Sequence, residues 1–521
     1  MNKKLLFLPL AAMMAFASCS NDEPANNGSN SNGETSFLAV NIVTPKGTRA
    51  AGYEVGAGNE NTVNDAAFIL LDKDKKVTQV IDNVSLETWD GPGDFNGTVE
   101  KISSSVLVIN GEESNDSEYI LAVLNKPSHG IKQGDSWQTV KAKAGNYDAC
   151  QGNAGDFTMT NSVYSDIVAT PIANKLAKSE TAALAQPAEI FVERTVAKIR
   201  TSIEDGNKDN FSNASVKVII DGQEKTLKID IKSVDIANVA RTSYLFKNID
   251  NISYSWLNDP TNHRSYWANI PANMQYDNKC WKDAGRNVLN TQNFYVQENV
   301  ADLSSNPVRN TSVLLRAQLV DENDQPVSFV KVGDRFLSME GGLTYIANVL
   351  ANVHRYYIKD ESNTAENVYK SIPVDYLEWA SSADASMKYW EGYARLKADK
   401  AGTKFYIYQN NSFHERSAAE VNASLKDQRS RVLVWNNGMT TYFMDINHDR
   451  TGADGKQLKG VIRNHVYDLN LKDISGVGVP VFDPNTVIVP EKPNDDNLFY
   501  LAAKVNILQW RLVKQDVSFD F

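Results

Sequence analysis

The sequence predicts an all-β protein with minor helices, built as two tandem β-sandwich domains and a C-terminal tail. Apolar runs are short, and Asn, Asp, Ser and Thr are abundant between them, a composition typical of strands joined by turns. Turn-forming groups such as Asp90-Gly91-Pro92-Gly93 separate the segments of strand length. About six such segments in each half of the chain suit two packed sheets per domain.

Length and charge set broad limits on the kind of protein. The 521 residues are enough for two or three domains with a sizeable core, and 42% hydrophobic with 22% charged residues is ordinary for a globular protein. The formal net charge is −11. Because nucleic acids and anionic membrane surfaces repel negative charge, neither is expected as a partner.

The chain begins with a segment typical of bacterial secretion signals, residues 1–19. Lys3 and Lys4 precede an apolar run, Leu5–Phe16, that is too short to span a bilayer as a helix. The run ends in Phe-Ala-Ser-Cys, which resembles a lipobox, so we expect Cys19 to carry lipid. Ordinary signal peptidase cleavage after Ala17 is the alternative. The polar residues 20–33 that follow cannot bury a core and are predicted to be a flexible tether.

A strand and a small-residue loop follow the tether. Leu38, Val40 and Ile42 share one face of the predicted strand 37–43, and the loop after it contains Arg49 and Ala50. Proteases cut such loops. Cleavage between Arg49 and Ala50 would release residues 20–49, the tether and propeptide strand, and open a groove in the folded body. On sequence alone, a surface arginine without a processing role is the commoner case. Cleavage would change the formal net charge from −11 to −12, because residues 1–49 contain four Lys and Arg and three Asp and Glu.

The body of the chain is predicted to contain an N-terminal sandwich domain at 50–247 and a C-terminal one at 248–479. Short helices are expected within 168–186, 343–353 and 383–400. The predicted strands are Ala66–Leu71, Ser104–Asn110, Tyr119–Asn125, Ala188–Ile199, Val216–Ile220 and Leu227–Asp235 in the first domain, and Ser312–Leu319, Ser328–Val332, Thr403–Tyr408, Arg431–Trp435, Thr440–Met444 and Val466–Lys472 in the second.

Residues 480–521 form a proline-rich hinge and a tail, the name used here for residues 501–521. The tail alternates like a strand, with a one-residue phase shift near Leu508 that indicates a bulge or a bend between two short strands. The tail can return to its own domain as a sheet edge, or it can be donated to another subunit. Its apolar residues are Val505, Ile507, Trp510, Leu512, Val517, Phe519 and Phe521.

The sequence offers no pattern for catalysis or for a cofactor. None of the six histidines has metal-ligand spacing, and no nucleophile elbow, P-loop or dinucleotide fingerprint is present. Asp445–Gly452 resembles a calcium loop, but Arg450 and Lys456 stand where glycine and glutamate are needed, so a polar hairpin is the preferred interpretation. His465 is interpreted as structural. Cys150 and Cys280 lie far apart in the sequence, and whether they pair stays open.

An ordered set of motifs along the chain resembles Bacteroidetes-type fimbrillins, the type V pilus subunits, and most of all the major subunits of short, Mfa-like fimbriae. No single motif is decisive, but together they run the length of the chain in the family's order. They are Phe16–Cys19, Thr48–Ala50, Asn64–Asp72, Ile190–Ile199, Phe294–Asn299, Gly460–His465 and Val505–Val517.

The resemblance implies transthyretin-like sandwich domains and a lipoprotein precursor, lipidated at Cys19 and anchored in the outer membrane. It further implies cleavage after Arg49 by an arginine-specific, gingipain-like protease, followed by polymerisation in which the tail supplies the donated strand. The implied location is a cell-surface fimbrium. The implied partners are further copies of the chain, joined head to tail, and tip and anchor subunits.

The predicted function is therefore a structural shaft subunit of a fimbria, which supports adhesion and biofilm formation or host colonisation. The chain is not expected to be an enzyme or to need a cofactor. A monomeric glycan-binding surface lipoprotein is the first alternative, and a secreted hydrolase is the second. Only the shaft subunit requires a donated tail.

Overall fold

The protein is described here from a computed structural model. The described residues are 36–44, 60, 62–88, 101–109, 116–126, 128–147, 157–163, 168–203, 214–250, 268–272, 274–281, 293–300, 310–365, 367–381, 391–427, 431–451, 457–471, 474, 476–482, 502–506, 508–509 and 512–518. In this part of the chain, no helix has the length and apolar character needed to cross a membrane.

Strands make up most of the described structure. In the first half they are β1 (Ser36–Thr44), β2 (Ala66–Leu71), β3 (Val77–Val84), β4 (Glu87–Thr88), β5 (Lys101–Ile109), β6 (Tyr119–Leu124), β7 (Ala144–Gly145), β8 (Met159–Asn161), β9 (Thr170–Pro171), β10 (Ala188–Arg194), β11 (Val196–Ile203), β12 (Ser215–Ile220), β13 (Gln223–Ala240) and β14 (Ser243–Tyr244). In the second half they are β15 (Tyr276–Trp281), β16 (Asn293–Gln297), β17 (Asn299–Val300), β18 (Ser312–Val320), β19 (Phe329–Val332), β20 (Arg335–Ser338), β21 (Tyr356–Lys359), β22 (Tyr369–Ser371), β23 (Leu377–Ser381), β24 (Glu391–Leu396), β25 (Phe405–Gln409), β26 (Ser412–Arg416), β27 (Arg431–Trp435), β28 (Met439–Asp445), β29 (Asn447–Thr451), β30 (Gln457–Val461), β31 (His465–Leu471), β32 (Val479–Pro480), β33 (Ala502–Asn506), β34 (Leu508–Gln509) and β35 (Leu512–Ser518).

Among the described residues, four α-helices interrupt the strands, and each begins with a serine whose side chain accepts a hydrogen bond from a backbone amide of the first turn. The Ser338 hydroxyl accepts a hydrogen bond from the Gly341 amide at 3.0 Å, and Ser417 and Glu420 form a capping box. The helices are α1 (Trp137–Lys141), α2 (Glu180–Leu184), α3 (Met339–Asn352) and α4 (Ala418–Leu425), and 3₁₀ turns lie at Val374–Tyr376, Ala398–Lys400 and Asn436–Gly438.

A nine-stranded sheet is formed by the N-terminal part of the chain. Its order is β3-β2-β6-β8-β10-β1-β5-β4, with β9 paired to β6. Both faces of the sheet are covered. One face holds Phe68, Leu70 and Ile190 in a core shared with β1, and the other packs against α1 and residues around Leu245 and Phe246. Strands buried on both faces read as continuous apolar runs, which explains the sequence Ala-Ala-Phe-Ile-Leu-Leu of β2.

A sandwich of two further sheets follows. The six-stranded sheet has the order β16-β11-β31-β35-β33, with β34 on β31, and it packs over the middle of an eleven-stranded sheet with the order β23-β24-β27-β19-β20-β12-β13-β18-β28-β32, in which β15 pairs with β13. Ile199, Tyr467 and Leu469 from the first sheet meet Ile229, Val313 and Met444 from the second. Smaller sheets are β14-β7, β17-β30-β29 and β22-β21-β25-β26, and the last of these shares a core with α3 and α4.

The all-β fold class with minor helices is confirmed, and so are the helices within 168–186 and 343–353. The predicted helix over 383–400 is wrong in its second half, because residues 391–396 form β24 between β23 and β27. Its first half lies mostly outside the described residues. The helical spacing of residues 391–396 did not decide their structure, because pairing with a strand on each side stabilises the extended conformation.

The predicted division at residue 247 stays a prediction, and strand pairing crosses it. β13 lies before residue 247 and pairs along its length with β18, which lies after it. β11 likewise pairs in parallel with β31, more than 250 residues further along the chain. The C-terminal sandwich is therefore completed by strands from the predicted N-terminal domain.

Candidate assembly site

The predicted propeptide strand, β1, lies inside the nine-stranded sheet and not at its edge. All nine of its residues have register partners in β5, from Ser36 opposite Ile109 to Thr44 opposite Lys101, and this pairing is antiparallel. On its other side, Val40 to Val43 pair in parallel with Ala188 to Phe191 of β10. The groove is the name used here for the space between β5 and β10 that β1 occupies.

The inward side chains of β1 are part of the hydrophobic core. Leu38 and Val40 are both 0% exposed and pack in the same cluster as Phe68, Leu107 and Ile190. Ile42 lies opposite Ile190 in the backbone register, and its side chain lies outside the described residues. Short helix α2 lies against β1 and β5. The prediction that Leu38 and Val40 share a buried face therefore agrees with the geometry.

Glu60, eleven residues after Arg49, is buried at the junction of β10 and β11. Its carboxylate forms an ion pair with Lys198 Nζ at 3.0 Å and accepts a hydrogen bond from the Tyr295 hydroxyl. Its backbone carbonyl accepts a hydrogen bond from Arg194 Nε at 2.8 Å. We call these four residues the Glu60 cluster. The Tyr295 pKa is raised, mainly by burial and then by the hydrogen bond to Glu60. The cluster fastens the chain that follows Arg49 to the folded body.

A second buried set of charges joins the sheets next to this cluster. Arg463 and Glu298 are 0% and 2% exposed and form an ion pair with 3.0 Å between Nε and Oε2. The guanidinium also donates to the Leu245 carbonyl at 2.9 Å and to the Tyr244 carbonyl at 2.6 Å. One side chain therefore joins three segments that are distant in sequence, which compensates for removing its charge from water.

Glu193 and Lys247 form the neighbouring buried pair. Lys247 Nζ donates to Glu193 Oε2 at 3.3 Å, and both side chains are almost completely buried. Burial raises the pKa of Glu193, and the positive charges of Lys247 and Arg463 oppose that shift. The charges in this region are thus held by one another, at the point where the nine-stranded sheet meets the sandwich.

The tail is paired within its own chain. β35 lies between β31 and β33, with Val466 to Leu471 opposite Leu512 to Val517 in parallel, and β33 returns antiparallel along it. β34 pairs with His465 through Gln509. β33 and β34 are separate short strands on either side of Ile507, which lies outside the described residues. In this single chain the tail completes an edge of its own six-stranded sheet.

The predicted site residues therefore fall at two separate places in the fold. Leu38, Val40 and Ile42 line β1, whereas Val505 lies in β33 and Leu512 and Val517 lie in β35. The predicted lipid attachment, cleavage and remaining tail positions lie outside the described residues; they are Cys19, Arg49, Ala50, Ile507, Trp510, Phe519 and Phe521.

The residues examined for metal chemistry are engaged in ordinary polar contacts. The Asp445 carboxylate accepts from Lys459 Nζ at 2.8 Å and from the Ser312 hydroxyl at 2.9 Å, at the start of a hairpin formed by β29 and β30. His465 is buried, and its Nδ1 donates to the Arg463 carbonyl at 2.8 Å. Among the described residues, no group of three or more potential ligands is placed to hold a metal ion.

The region that contains the tail and the Arg463 turn also matches a known family. Residues 434–516, from the end of β27 into β35, match the family model of the C-terminal part of Fimbrillin, the major fimbrial subunit protein type IV. Residues 434–516 are therefore similar to the C-terminal part of fimbrillins. The resemblance to fimbrillins that the sequence motifs indicated is confirmed by this match, which supports the role of a structural, non-enzymatic pilus subunit.

Solved structures from Parabacteroides distasonis are similar at low identity. A proposed cell adhesion protein is 15% identical over 56% of this chain and 77% of its own length, with a TM-score of 0.34. A fimbrial assembly protein is 12% identical over 55% and 82%, with a TM-score of 0.26. A second proposed cell adhesion protein is 13% identical over 54% and 78%, with a TM-score of 0.27. These scores are too low to carry an argument. No curated protein matches the chain.

The sequence alone did not reveal the Glu60 cluster. A signal was nevertheless present, because Glu193, Arg194 and Lys198 interrupt a stretch that is otherwise apolar, Ile190–Ile199. Charged residues in a buried strand are rare unless they are paired. The pattern indicates that partners exist, but their identity depends on which distant segments the fold brings together.

Proposed function

We propose that the protein is a shaft subunit of a fimbria, made as a lipoprotein precursor and activated by proteolysis. In this proposal Cys19 carries the lipid that holds the precursor in the outer membrane, and an arginine-specific protease cuts between Arg49 and Ala50. The tail of another subunit then fills the groove. The resulting fibre serves adhesion and biofilm formation or host colonisation, with tip and anchor subunits at its ends.

The position of β1 is the observation that carries this proposal. β1 is an inner strand, paired on both sides, and it joins the body only through the chain from residue 45 to Glu60, which contains Arg49. The Glu60 cluster holds the body side of that connection. A cut at Arg49 would therefore remove the covalent connection between β1 and the body, while Glu60 and the chain after it stay held by the cluster.

Loss of β1 would leave a site that needs another strand. Along β5, nine residues would lose their register partners, and the core would lose Leu38 and Val40, each worth about 1.5–3 kcal/mol when fully buried. Exposed strand edges bind other strands. An empty groove in a mature subunit thus favours capture of an apolar strand, and the filled groove of the precursor prevents it.

Strand donation also accounts for a fibre. The tail and the groove lie on different sheets, so a contact between them joins two unlike surfaces. Such head-to-tail contacts produce open assemblies when the rotation between subunits does not close a ring. Within the tail, β35 has one parallel neighbour, β31, and one antiparallel neighbour, β33, and β1 has the same combination of neighbours in the groove.

The proposal is tested with the purified precursor, lacking lipid through Cys19→Ser, before and after limited trypsin treatment. We expect a mature N-terminus at Ala50 and filaments in electron micrographs only after cleavage. An Arg49→Gln precursor should stay monomeric, and a mature chain lacking residues 501–521 should fold without forming filaments. A mature chain that begins at Ala50 and stays monomeric would contradict the proposal and leave the glycan-binding surface lipoprotein as the better hypothesis.

A further inference from the structure

The propeptide strand and the tail share a tripeptide. Val-Asn-Ile occurs twice in the 521 residues, at 40–42 in β1 and at 505–507 in the tail. In β1 these residues are three of the four, with Val43, that have partners on both sides, in β5 and in β10. In the tail, Val505 and Asn506 are the end of β33. The same three residues thus stand at the most fully paired part of the groove and in the segment proposed to refill it.

We infer that β33 is the donated strand and that it enters the groove in one register, with Val505, Asn506 and Ile507 in the places of Val40, Asn41 and Ile42. This inference rests on the proposed function and adds the segment and its alignment. Residues 501–509 then lie where 36–44 lay. Ala503 takes the place of Leu38, and the polar Lys504 and Asn506 fall on the face opposite to Val505 by alternation.

Side-chain volume separates this register from the other apolar windows of the tail. Val40 is completely buried, so its replacement must be close to valine in size, because oversized groups strain a packed core. Placing Leu508, Trp510 and Leu512 inward would put an indole there, and placing Val517, Phe519 and Phe521 inward would put a phenyl ring there. Only the proposed register of these three places valine in the position of Val40.

The place of β33 in the fold also favours it as the donor. β33 is the outermost strand of the six-stranded sheet as described and pairs with β35 alone. β35, in contrast, has β31 on one side and β33 on the other. Detaching β33 breaks one ladder of hydrogen bonds, whereas detaching β35 breaks two. The segment that carries the shared tripeptide is therefore the one that leaves its own sheet at the lower cost.

One position is not matched, and it provides a test. Ala503 is smaller than Leu38, so a donated β33 leaves unfilled space beside Leu107 in the core around β1. An Ala503→Leu subunit should fill that space and give filaments that dissociate at a higher urea concentration. Ala502→Leu is the matched control, because residue 502 lies on the opposite face. Equal effects of the two substitutions would overturn the inferred register.

Disulfide trapping in the full mature chain tests the register directly. Asn41 is the register partner of Ser104 in β5, so the residue that replaces Asn41 should come within disulfide distance of position 104. Three variants, each with Ser104→Cys and with Cys150 and Cys280 changed to serine, carry Asn506→Cys, Arg511→Cys or Asp520→Cys. Residue 506, 511 or 520 takes the place of Asn41 when Val505, Trp510 or Phe519, respectively, takes the place of Val40.

We expect a ladder of covalent multimers on non-reducing gels with Asn506→Cys and not with the other two. Filaments that form a ladder only through Arg511→Cys or Asp520→Cys would overturn the inferred register and leave strand donation intact. Absence of filaments in all three variants, and in the parent chain without added cysteines, would instead overturn the proposed function itself.

Discussion

At the scale of single residues, the most informative feature is the set of buried charges between the nine-stranded sheet and the sandwich. Lys198, Glu193 and Arg463 lie in or beside apolar strands, where an unpaired charge would be very unfavourable. Each has a partner from a distant part of the chain. Such pairs add little net stability over apolar residues, but the loss of one partner is costly.

The Arg463–Glu298 pair gives a direct prediction. Glu298→Gln leaves the Arg463 guanidinium buried without its counter-charge, so the free energy of unfolding should fall by about 3–5 kcal/mol. Urea denaturation of the precursor measures the change. Glu224→Gln is the control, because the Lys217–Glu224 pair is 69% and 60% exposed and screened by water, so this substitution should change the free energy of unfolding far less. Equal decreases in the free energy of unfolding of the two variants would show that burial does not determine how much the loss of a charge partner costs.

Buried tyrosines predict a loss of stability at alkaline pH. Burial raises the pKa of Tyr147 to about 12, and it also raises the pKa values of Tyr295 and Tyr442. Above about pH 10 the unfolded chain releases phenolic protons that the folded chain retains. The unfolded state then binds fewer protons, so the free energy of unfolding decreases as the pH rises.

We therefore expect the contribution of Tyr147 to the free energy of unfolding to be fully present below about pH 10 and to be lost as the pH rises toward 12. Tyrosinate absorbance and urea midpoints, measured together over this range, test the expectation. Tyr147→Phe removes one titrating group and should make the alkaline decrease smaller. An unchanged decrease in Tyr147→Phe would show that Tyr147 titrates equally in both states.

At the scale of elements, β1 is a core strand that is attached to the body by a short connection. Its apolar alternation predicted a strand with one buried face, and the structure places that face against Phe68 and Leu107. Alternation alone did not indicate an inner strand, because an edge strand with one buried face has the same pattern. The two neighbours of β1 come from residues 101–109 and 188–194, far away in sequence.

The position of β1 predicts a difference between precursor and mature chain. Leu38→Ala should lower the free energy of unfolding of the precursor by about 2–5 kcal/mol, because it leaves a cavity in the core. It cannot affect a mature chain that begins at Ala50. Leu107→Ala, in β5, is the control that should destabilise both forms. Thermal unfolding of the precursor and of the mature chain, with each substitution and without it, measures these changes. A precursor unaffected by Leu38→Ala would contradict the described position of β1.

At the scale of the whole molecule, the sheets are shared across the chain more than the sequence suggested. β11 and β13 come from the first half, yet they complete the sandwich formed with β31 and β18 from the second half. The tail extends the same six-stranded sheet. The two halves of the chain are therefore joined by hydrogen-bonded ladders between strands.

Head-to-tail assembly predicts two kinds of chain terminator. A mature chain lacking 501–521 accepts a tail but cannot donate one, and an Arg49→Gln precursor donates a tail but keeps its groove filled. Small amounts of either, added to mature subunits, should shorten filaments in electron micrographs, because each blocks one end of a heterologous assembly. A chain lacking both the tail and the cleavage site is the control and should have no effect. Shortening by that double variant would contradict strand donation.

The sequence by itself determined many of the strands, which faces of β1 and the tail are apolar, and that the chain resembles fimbrillins, because alternation and motifs are local properties. The tertiary structure alone decided that β1 lies between β5 and β10, that Glu60 pairs with Lys198, and that residues 391–396 form a strand despite helical spacing. These outcomes depend on contacts between segments that are well separated in the sequence, and the spacing of side chains along a single segment carries no information about them.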